Sequence, residues 1–310
     1  MEKRLFKILF VSILILVLDW QVARADNYYG MPNDYLQYGA GARSLAMGGA
    51  YVALANEASA PYWNAAGLTQ IDEHQFLAMY APFFEQTSYN FLSYVLPLGK
   101  IGSLAISDVC VYSEGYEEVD GDGNSLGTNQ SIFNNAIIIS YANRLFGRIS
   151  LGASFKLIHE RVMKYSGNGQ GIDLGILCKP LDALSVGLAV QNLLEPKVTL
   201  RYDPNVYKLN LKAGIALNAL SKRLTLTADV NKLVDEKPYF SAGLEISPWE
   251  KISSSSLKRI DFRAGFNDLQ TFTCGIGLKI KFLCLDYAFS SHDMGNLHKF
   301  GLSFAWGKHR

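Results

Sequence analysis

The chain has 310 residues and a formal net charge of +1 at pH 7, and only 18% of its residues are charged. This balance provides neither a basic surface for nucleic acid nor an acidic tail for a basic partner. Glycine (27), tyrosine (17) and phenylalanine (17) are abundant, a composition that favours a closed antiparallel barrel over an ordinary soluble domain.

A cleaved secretory signal peptide is predicted at residues 1–25. Three basic residues within 1–7 precede an apolar stretch over 8–18, and Ala23-Arg24-Ala25 follows. A basic head, an apolar middle and a small-x-small exit are typical of such a signal. The apolar stretch is too short to cross about 30 Å of hydrocarbon as a helix. The rest of the chain contains no apolar run of about eighteen or more residues, the length that a membrane-spanning helix needs. We therefore expect an exported protein and no helical membrane span.

Residues 26–72 differ from the rest of the chain. They are too apolar for a free tail and do not alternate like a strand, and residues 41–55 are rich in small side chains with patches of helical spacing. Small residues let backbones pack closely, so this segment is predicted to fold as a hatch inside a barrel.

From residue 73 to the end the sequence alternates between apolar and polar residues. In 271–282 every even-numbered residue is apolar and every odd-numbered residue is small, polar or charged. A soluble β-sandwich also alternates, but its outer face carries more charge than is present here. Residues 73–310 are therefore predicted to form a transmembrane barrel of about fourteen strands. The predicted strands are 74–81, 88–96, 100–112, 132–144, 147–160, 170–179, 184–194, 207–218, 223–233, 238–248, 258–267, 271–282, 283–290 and 297–306.

The connections between these strands alternate in length. Every second connection except the serine-rich one at Ser253–Ser256 is short, as at Leu98-Gly99 and Leu181-Asp182. The alternate connections include the polar stretches 113–131, 161–169 and 194–206. Barrels of the bacterial outer membrane have short periplasmic turns and longer external loops. The alternation therefore supports the barrel and assigns the long connections to the cell exterior.

The third predicted strand contains one irregularity. Leu104 and Ile106 share one parity, whereas Val109 and Val111 share the other. An extra residue at Ser107-Asp108 would cause this change, so a β-bulge is predicted there; the alternative is a misplaced strand end.

The hatch segment and the end of the chain resemble a known family. Residues 41–68 read GARSLAMGGAYVALANEASAPYWNAAGL, and the chain closes with the related repeats 285–289 and 300–304. This run is similar to the N-terminal signature of the PorV/PorQ family, outer-membrane barrels related in fold to the FadL fatty-acid transporters. Members usually carry proline where this chain has Ala65. The signature residues are Gly41, Arg43, Ser44, Met47, Gly48, Gly49, Trp63, Asn64 and Gly67.

The resemblance implies a fourteen-stranded barrel with a hatch in its lumen. It also implies a third strand whose kink opens the wall sideways, at Ser107 and Asp108 in this chain.

Sequence motifs for chemistry are weak. The glycines near residue 40 lack the spacing and context of a nucleotide-binding loop, and none of the five histidines has a persuasive serine and carboxylate partner set. We expect no enzyme activity, no cofactor and no metal centre. The acidic loop Asp120–Asn124 is predicted to be a turn, with a calcium site as the alternative.

Many charged residues are predicted by parity to face the lumen. They would either pair and brace the hatch or line a polar channel, and the sequence leaves both open. They are Lys156, Asp173, Lys208, Lys212, Asp229, Glu245, Asp261, Arg263, Lys279, Lys281, Asp286 and Lys299.

Two functions are compatible with the sequence. The family resemblance implies an outer-membrane acceptor that delivers exported proteins to the cell surface, as in type IX secretion, with partners from the secretion machinery bound at the external loops. The alternative is a FadL-type passive transporter, in which a hydrophobic ligand, detergent or lipid would enter the lumen. In both, membrane lipid surrounds the barrel and nucleic acid is not a partner.

Overall fold

The computed structural model describes residues 35–83, 86–122, 124–145, 147–250, 257–268, 270–291 and 295–308. The predicted signal peptide and residues 26–34 of the predicted hatch lie outside these residues. None of the helices in the described part of the chain is long and apolar enough to cross a membrane.

The alternating segments form strands because alternation places one set of side chains on each face of a sheet. In chain order the strands are β1 Glu73–Pro82, β2 Thr87–Pro97, β3 Ser103–Val119, β4 Ser125–Arg144, β5 Ile149–Val162, β6 Tyr165–Leu181, β7 Leu184–Gln191, β8 Lys197–Thr199, β9 Pro204–Val206, β10 Asn210–Ala219, β11 Leu224–Leu233, β12 Tyr239–Glu250, β13 Leu257–Asn267, β14 Gln270–Ile280, β15 Leu283–Ser291 and β16 Leu297–Lys308.

Fourteen of the strands in the described residues close into one antiparallel barrel. Each barrel strand pairs with its neighbours in the chain, and β1 pairs with β16 to close the wall. The short strands β8 and β9 form a separate two-stranded sheet in the connection between β7 and β10. The predicted fourteen-stranded barrel is therefore confirmed.

The connections at one end of the barrel are short. Those that the structure describes in full comprise residues 98–102, 182–183, 220–223 and 281–282. At the other end, β3 and β4 extend to Val119 and Ser125, and β5 turns into β6 at Met163 and Lys164. Most of the predicted loops 113–131 and 161–169 are thus strand. Their polar composition gave no sign of strands, because a hairpin that projects into water needs no apolar face.

The two faces of the wall differ in chemistry. On β5, Leu151 and Phe155 point outward and are exposed, whereas Ser150 and Ser154 point inward and are buried. The same division holds along most of the other barrel strands. An outer apolar band with small or polar inner residues is what a lipid-facing wall requires.

Residues 35–71 form the hatch, which packs against the inner face of the barrel. It contains two short α-helices, α1 (Ala42–Ala46) and α2 (Ala60–Trp63), and 3-10 helices at Tyr35–Gln37 and Ala65–Gln70. Pro61 lies at the start of α2, where its fixed φ angle suits a helix. Asn64 begins the next 3-10 helix, and its Oδ1 accepts a hydrogen bond from the backbone N–H of Ala66 at 3.1 Å.

Candidate functional site

Arg43 connects the hatch to the barrel wall. It lies on α1, and its Nε and Nη2 donate to the two carboxylate oxygens of Glu245 on β12, at 2.7 and 2.8 Å. Its Nη1 donates to Asn56 Oδ1 at 2.8 Å and to the Tyr51 hydroxyl at 3.0 Å, both in the hatch. A bidentate pair of this kind fixes both the position and the orientation of the guanidinium. Arg43 therefore joins a turn of the hatch to one strand of the wall.

Glu245 is shared by further cations on the wall. Arg263 Nε lies 2.7 Å from its Oε2, and both side chains are only 1% exposed. Arg259 Nη2 approaches Oε1 at 3.1 Å, while Arg263 Nη1 also reaches Asp286 Oδ1 at 2.6 Å. We call this cluster on β12, β13 and β15, together with Arg43, the ionic network.

Burial alone would lower the pKa of the Arg43 guanidinium. The neighbouring Glu245 carboxylate outweighs this effect and holds the pKa above its usual range. Arg43 therefore stays charged beside Glu245.

A second wall contact holds the backbone of the hatch. The Asp229 carboxylate on β11 accepts hydrogen bonds from the backbone N–H groups of Tyr51 and Val52, at 2.7 and 2.8 Å. Asp229 is buried, so both of these donors are satisfied away from water. The hatch is thus bound to the wall through its main chain as well as through Arg43.

Gly48 lies where the hatch comes closest to the wall. Its φ is +68°, and a Cβ atom there would lie 2.4 Å from the carbonyl oxygen of Phe266. The facing Gly265 has a similar constraint, since its Cβ would lie 2.2 Å from the Gly48 nitrogen. Glycine at both positions permits direct backbone packing.

The remaining signature residues shape the hatch itself. Ser44 Oγ donates to the carbonyl oxygens of Ala40 and Gly41, and Trp63 Nε1 donates to Ala40 O at 2.8 Å. Asn64 Nδ2 donates to Val52 O and to Ile176 O of β6, both at 3.0 Å. Met47 is fully buried. Gly49 and Gly67 donate their N–H groups to Ser44 O and Asn64 O.

The opposite side of the hatch is apolar. Tyr62 of α2 packs edge-on against Phe91 of β2, with ring centroids 6.5 Å apart. Phe91 belongs to a buried cluster with Val109 of β3 and Ile138 of β4. We call the inner faces of β2–β4 the apolar wall. These strands carry buried apolar residues on their inner faces because they face apolar hatch residues and not ions.

An apolar depression lies on the outer face of the barrel. Its volume is about 850 Å³, and six neighbouring strands line it, from β14 through β16 and β1 to β3. Its floor includes Ala78, and its apolar sides include Leu92, Leu278 and Phe300. Asn90, Asp108 and Cys110 add polar groups at one edge.

The hatch lies directly behind this depression. A Cβ atom on Gly275 of β14 would lie 2.5 Å from Ala46 Cβ, and one on Gly301 of β16 would lie 3.0 Å from Ala42 Cβ. Small residues on both sides let α1 lie on the inner face of these strands. The wall alone therefore separates α1 from the depression.

The predicted bulge at Ser107-Asp108 is wrong. Residues on both sides of this step pair in unbroken register with β2 and with β4. Ser107 and Val109 point inward and are buried, while Leu104 and Ile106 are exposed on the outer face. The apolar side changes because Val109 points inward into the buried cluster with apolar hatch residues, whereas Asp108 occupies an outer position. The wall has no gap at Asp108.

Most of the predicted lumenal charges are buried, and several form ion pairs, as in the bracing alternative. Lys156 Nζ pairs with Asp173 at 2.8 Å, and Lys212 Nζ lies 5.1 Å from the centre of a Trp63 ring. Lys208 instead forms an exposed pair with Asp235, and Lys279 and Lys281 are exposed. The sequence did not indicate Arg259 or the polar outer cluster at Asp108. Unbroken alternation along β3 would have placed Asp108 on the outer face, and this was the signal in the sequence that could have revealed it.

The acidic loop forms a turn. Asp120 Oδ1 accepts hydrogen bonds from the backbone N–H groups of Asp122 and Asn124, at 3.0 and 2.8 Å. This is the local bonding by which aspartate stabilises turns. Among the residues that the structure describes, no group of three or more His, Cys, Asp or Glu side chains is arranged to hold a metal ion.

Comparison with known proteins gives a family match for part of the chain. Residues 31–173 match an uncharacterised protein family, UPF0164. The matched region includes the hatch and β1–β5 and ends within β6. No curated protein sequence matches the chain.

Several solved structures share the fold. The chain is similar to the toluene transporter TbuX of Ralstonia pickettii (14% identity, TM-score 0.60, 87% of this chain and 98% of that chain covered). It is also similar to the toluene transporter TodX of Pseudomonas putida (14%, 0.56, 86% and 96%). A Pseudomonas aeruginosa FadL homologue matches as well (10%, 0.53, 84% and 96%). Identities this low establish a FadL-like barrel fold alone, and membership of the PorV/PorQ family stays a prediction.

Proposed function

We propose that this protein is an outer-membrane barrel that carries small hydrophobic molecules across the membrane. The depression on the lipid-facing wall carries the proposal. Its volume of about 850 Å³ lies within the range of about 300–1,000 Å³ typical of small-molecule sites, and its lining is mostly apolar. The FadL-like fold, which the chain shares with solved toluene transporters, supports the same function.

The hatch is the gate in this proposal. Its side chains pack against both sides of the lumen, so a molecule can pass only when the hatch moves. A hydrophobic molecule that enters from the outer loops would favour the apolar wall, where Phe91, Val109 and Ile138 offer surface without buried charge. Movement on that side breaks no ion pair, whereas movement on the other side separates Arg43 from Glu245.

Uptake of an aromatic hydrocarbon tests this function. Cells that lack their own FadL-type protein would express the full chain, and the accumulation of radiolabelled toluene would be measured. The variant Ala78→Trp fills the floor of the depression with a large side chain, and we expect uptake to fall to the level of cells without the protein. Ala213→Trp is the matched control, because Ala213 also lies on the outer face but on β10, on the opposite side of the barrel.

Two results would contradict the proposal. One is equal uptake by cells with and without the wild-type protein. The other is an equal effect of the two tryptophan substitutions, which would mean that the depression has no part in transport. Surface expression of all variants would be compared by heat-modifiable migration of the folded barrel.

A second candidate function is surface delivery of exported proteins, as the PorV/PorQ resemblance implies. Apolar side chains exposed on the long connections favour it, namely Leu194 (67% exposed) and Tyr202 (75% exposed). Such groups can anchor a protein partner. The test is quantitative proteomics of culture supernatant and cell surface from a deletion strain. Loss of a defined set of exported proteins would support delivery, and an unchanged secretome would exclude it.

A further inference from the structure

The polar edge of the depression is unusual for a lipid-facing surface. On β14, β15 and β16 the outer positions that line the depression and pair in register are apolar, namely Ile276, Tyr287 and Phe300. On β2 and β3 the corresponding positions are Asn90 and Cys110, which pair with each other in register. Asp108 is the next outer residue of β3 towards the turn that joins β2 and β3. Charged groups on a lipid-facing strand are costly and mark functional positions.

Asp108 has little compensation within the protein. Its Oδ1 accepts one hydrogen bond, from Asn135 Nδ2 at 3.2 Å. Among the described residues that line the depression, the other charged one is Asp286, whose carboxylate is bound on the lumenal side by Arg263. No lysine or arginine is among these lining residues. The depression therefore offers a half-buried carboxylate acceptor beside a large apolar surface, without a cation to neutralise it.

We propose that the depression binds amphipathic molecules with an apolar body and a hydrogen-bond-donating head group, which Asp108 receives. The carboxyl group of Asp108 offers an acceptor oxygen in either protonation state, so the complementary head carries O–H or N–H groups. Asn90, on the neighbouring strand, adds an amide that can accept from or donate to the same head. This inference rests on the proposed function, because it names the class of molecule that the depression selects.

Binding to the full-length protein in lipid nanodiscs tests the selection. Three probes share one apolar body, namely 4-butylphenol, 4-butylbenzylamine and butylbenzene, and their binding would be measured by calorimetry against protein-free nanodiscs. We expect the phenol and the amine to bind about tenfold more tightly than butylbenzene, because a hydrogen bond to a half-buried acceptor is worth about this much. Asp108→Leu suits an outer position and should remove the preference while butylbenzene still binds.

Asp108→Asn distinguishes the two kinds of head. The amide still accepts a hydrogen bond but cannot carry a charge, so the amine should lose more affinity than the phenol. Asp182→Leu, in an exposed turn between β6 and β7, is the control for removal of an acidic residue and should change nothing. Protection of Cys110 from a membrane-permeant maleimide would locate the bound probe, since Cys110 lines the same edge.

The possible failures are distinct. If all three probes bind the wild type equally, or if Asp108→Leu keeps the preference, selection by Asp108 is wrong and the transport function stands. If no probe binds and toluene uptake is absent as well, the proposed function fails together with the selection.

Discussion

The hatch meets two walls of opposite character. Toward β11–β15 its contacts are ionic and directional, with Arg43 held by Glu245 and the backbone at Tyr51 and Val52 held by Asp229. Toward β2–β4 its contacts are apolar, centred on Tyr62 and Phe91. One small segment is therefore attached to the barrel by two different kinds of force.

The difference indicates how the hatch can move. Ion pairs and hydrogen bonds require a fixed geometry, and a buried charge that loses its partner is strongly unfavourable. Apolar contacts are non-directional and tolerate small displacements. We therefore expect the ionic side to act as the fixed attachment of the hatch and the apolar side to yield.

The largest expected effect comes from Glu245→Ala. Removal of this carboxylate leaves Arg43 and Arg263 without their main partner in a buried site, which should cost about 4 kcal/mol of stability. Urea unfolding of the full chain in lipid would measure the loss. Hydrogen exchange would show whether the amides of residues 42–55 lose protection while the barrel strands keep theirs.

The exposed Asp203→Ala is the control for this substitution and should leave both measurements unchanged. A Glu245→Ala protein that keeps a fully protected hatch would show that the ionic network does not attach it. In that case the apolar wall would hold the hatch alone.

Phe91→Ala should have a somewhat smaller effect of a different kind. The loss of a fully buried aromatic ring leaves a cavity and should cost about 3 kcal/mol. The ionic network remains, so the amides of residues 42–55 should stay protected. Phe262→Ala removes an outer, lipid-facing ring and is the matched control, with a smaller loss expected. Release of the hatch by Phe91→Ala would contradict the division between the two walls.

Asp229→Ala isolates the backbone contact from the ionic network. It leaves the buried N–H groups of Tyr51 and Val52 without an acceptor and should cost about 2 kcal/mol. Asp229→Asn keeps an acceptor oxygen and should recover most of this loss. Equal losses for the two substitutions would mean that the charge of Asp229, and not its hydrogen bonds, stabilises the hatch.

The fold could be predicted from the sequence because a barrel repeats one local rule. Alternation of period two identified all fourteen barrel strands, and parity assigned Asp229, Glu245 and Arg263 to the lumen. The exact strand ends in 113–131 could not be predicted, since hairpins in water lose the apolar face that the rule depends on.

The candidate site was only partly predictable. The signature residues were found by resemblance, but their partners were not, because the contact of Arg43 with Glu245 joins positions 202 residues apart. The wrong prediction of a bulge at Ser107-Asp108 has a similar cause. Val109 is apolar because the hatch packs against it, and a pattern within one strand contains no information about a segment that arrives from elsewhere.

The smallest expected effect concerns Glu57, at the edge of the ionic network. Burial raises the pKa of its carboxyl above the ordinary value, and the nearby Arg43 guanidinium opposes this only in part. Because the folded state disfavours the ionised form, this group destabilises the protein at neutral pH, and the penalty disappears as the pH falls below the ordinary glutamate pKa of about 4.3. Glu57→Gln should therefore raise the melting temperature at pH 7.5 and have little effect at pH 4. Its amide oxygen can still accept from Ser59 Oγ, which now lies 3.0 Å from Glu57 Oε1. A Glu57→Gln protein that is less stable at pH 7.5 would show instead that the contact with Arg43 at 3.5 Å outweighs burial and that Glu57 belongs to the fixed attachment of the hatch.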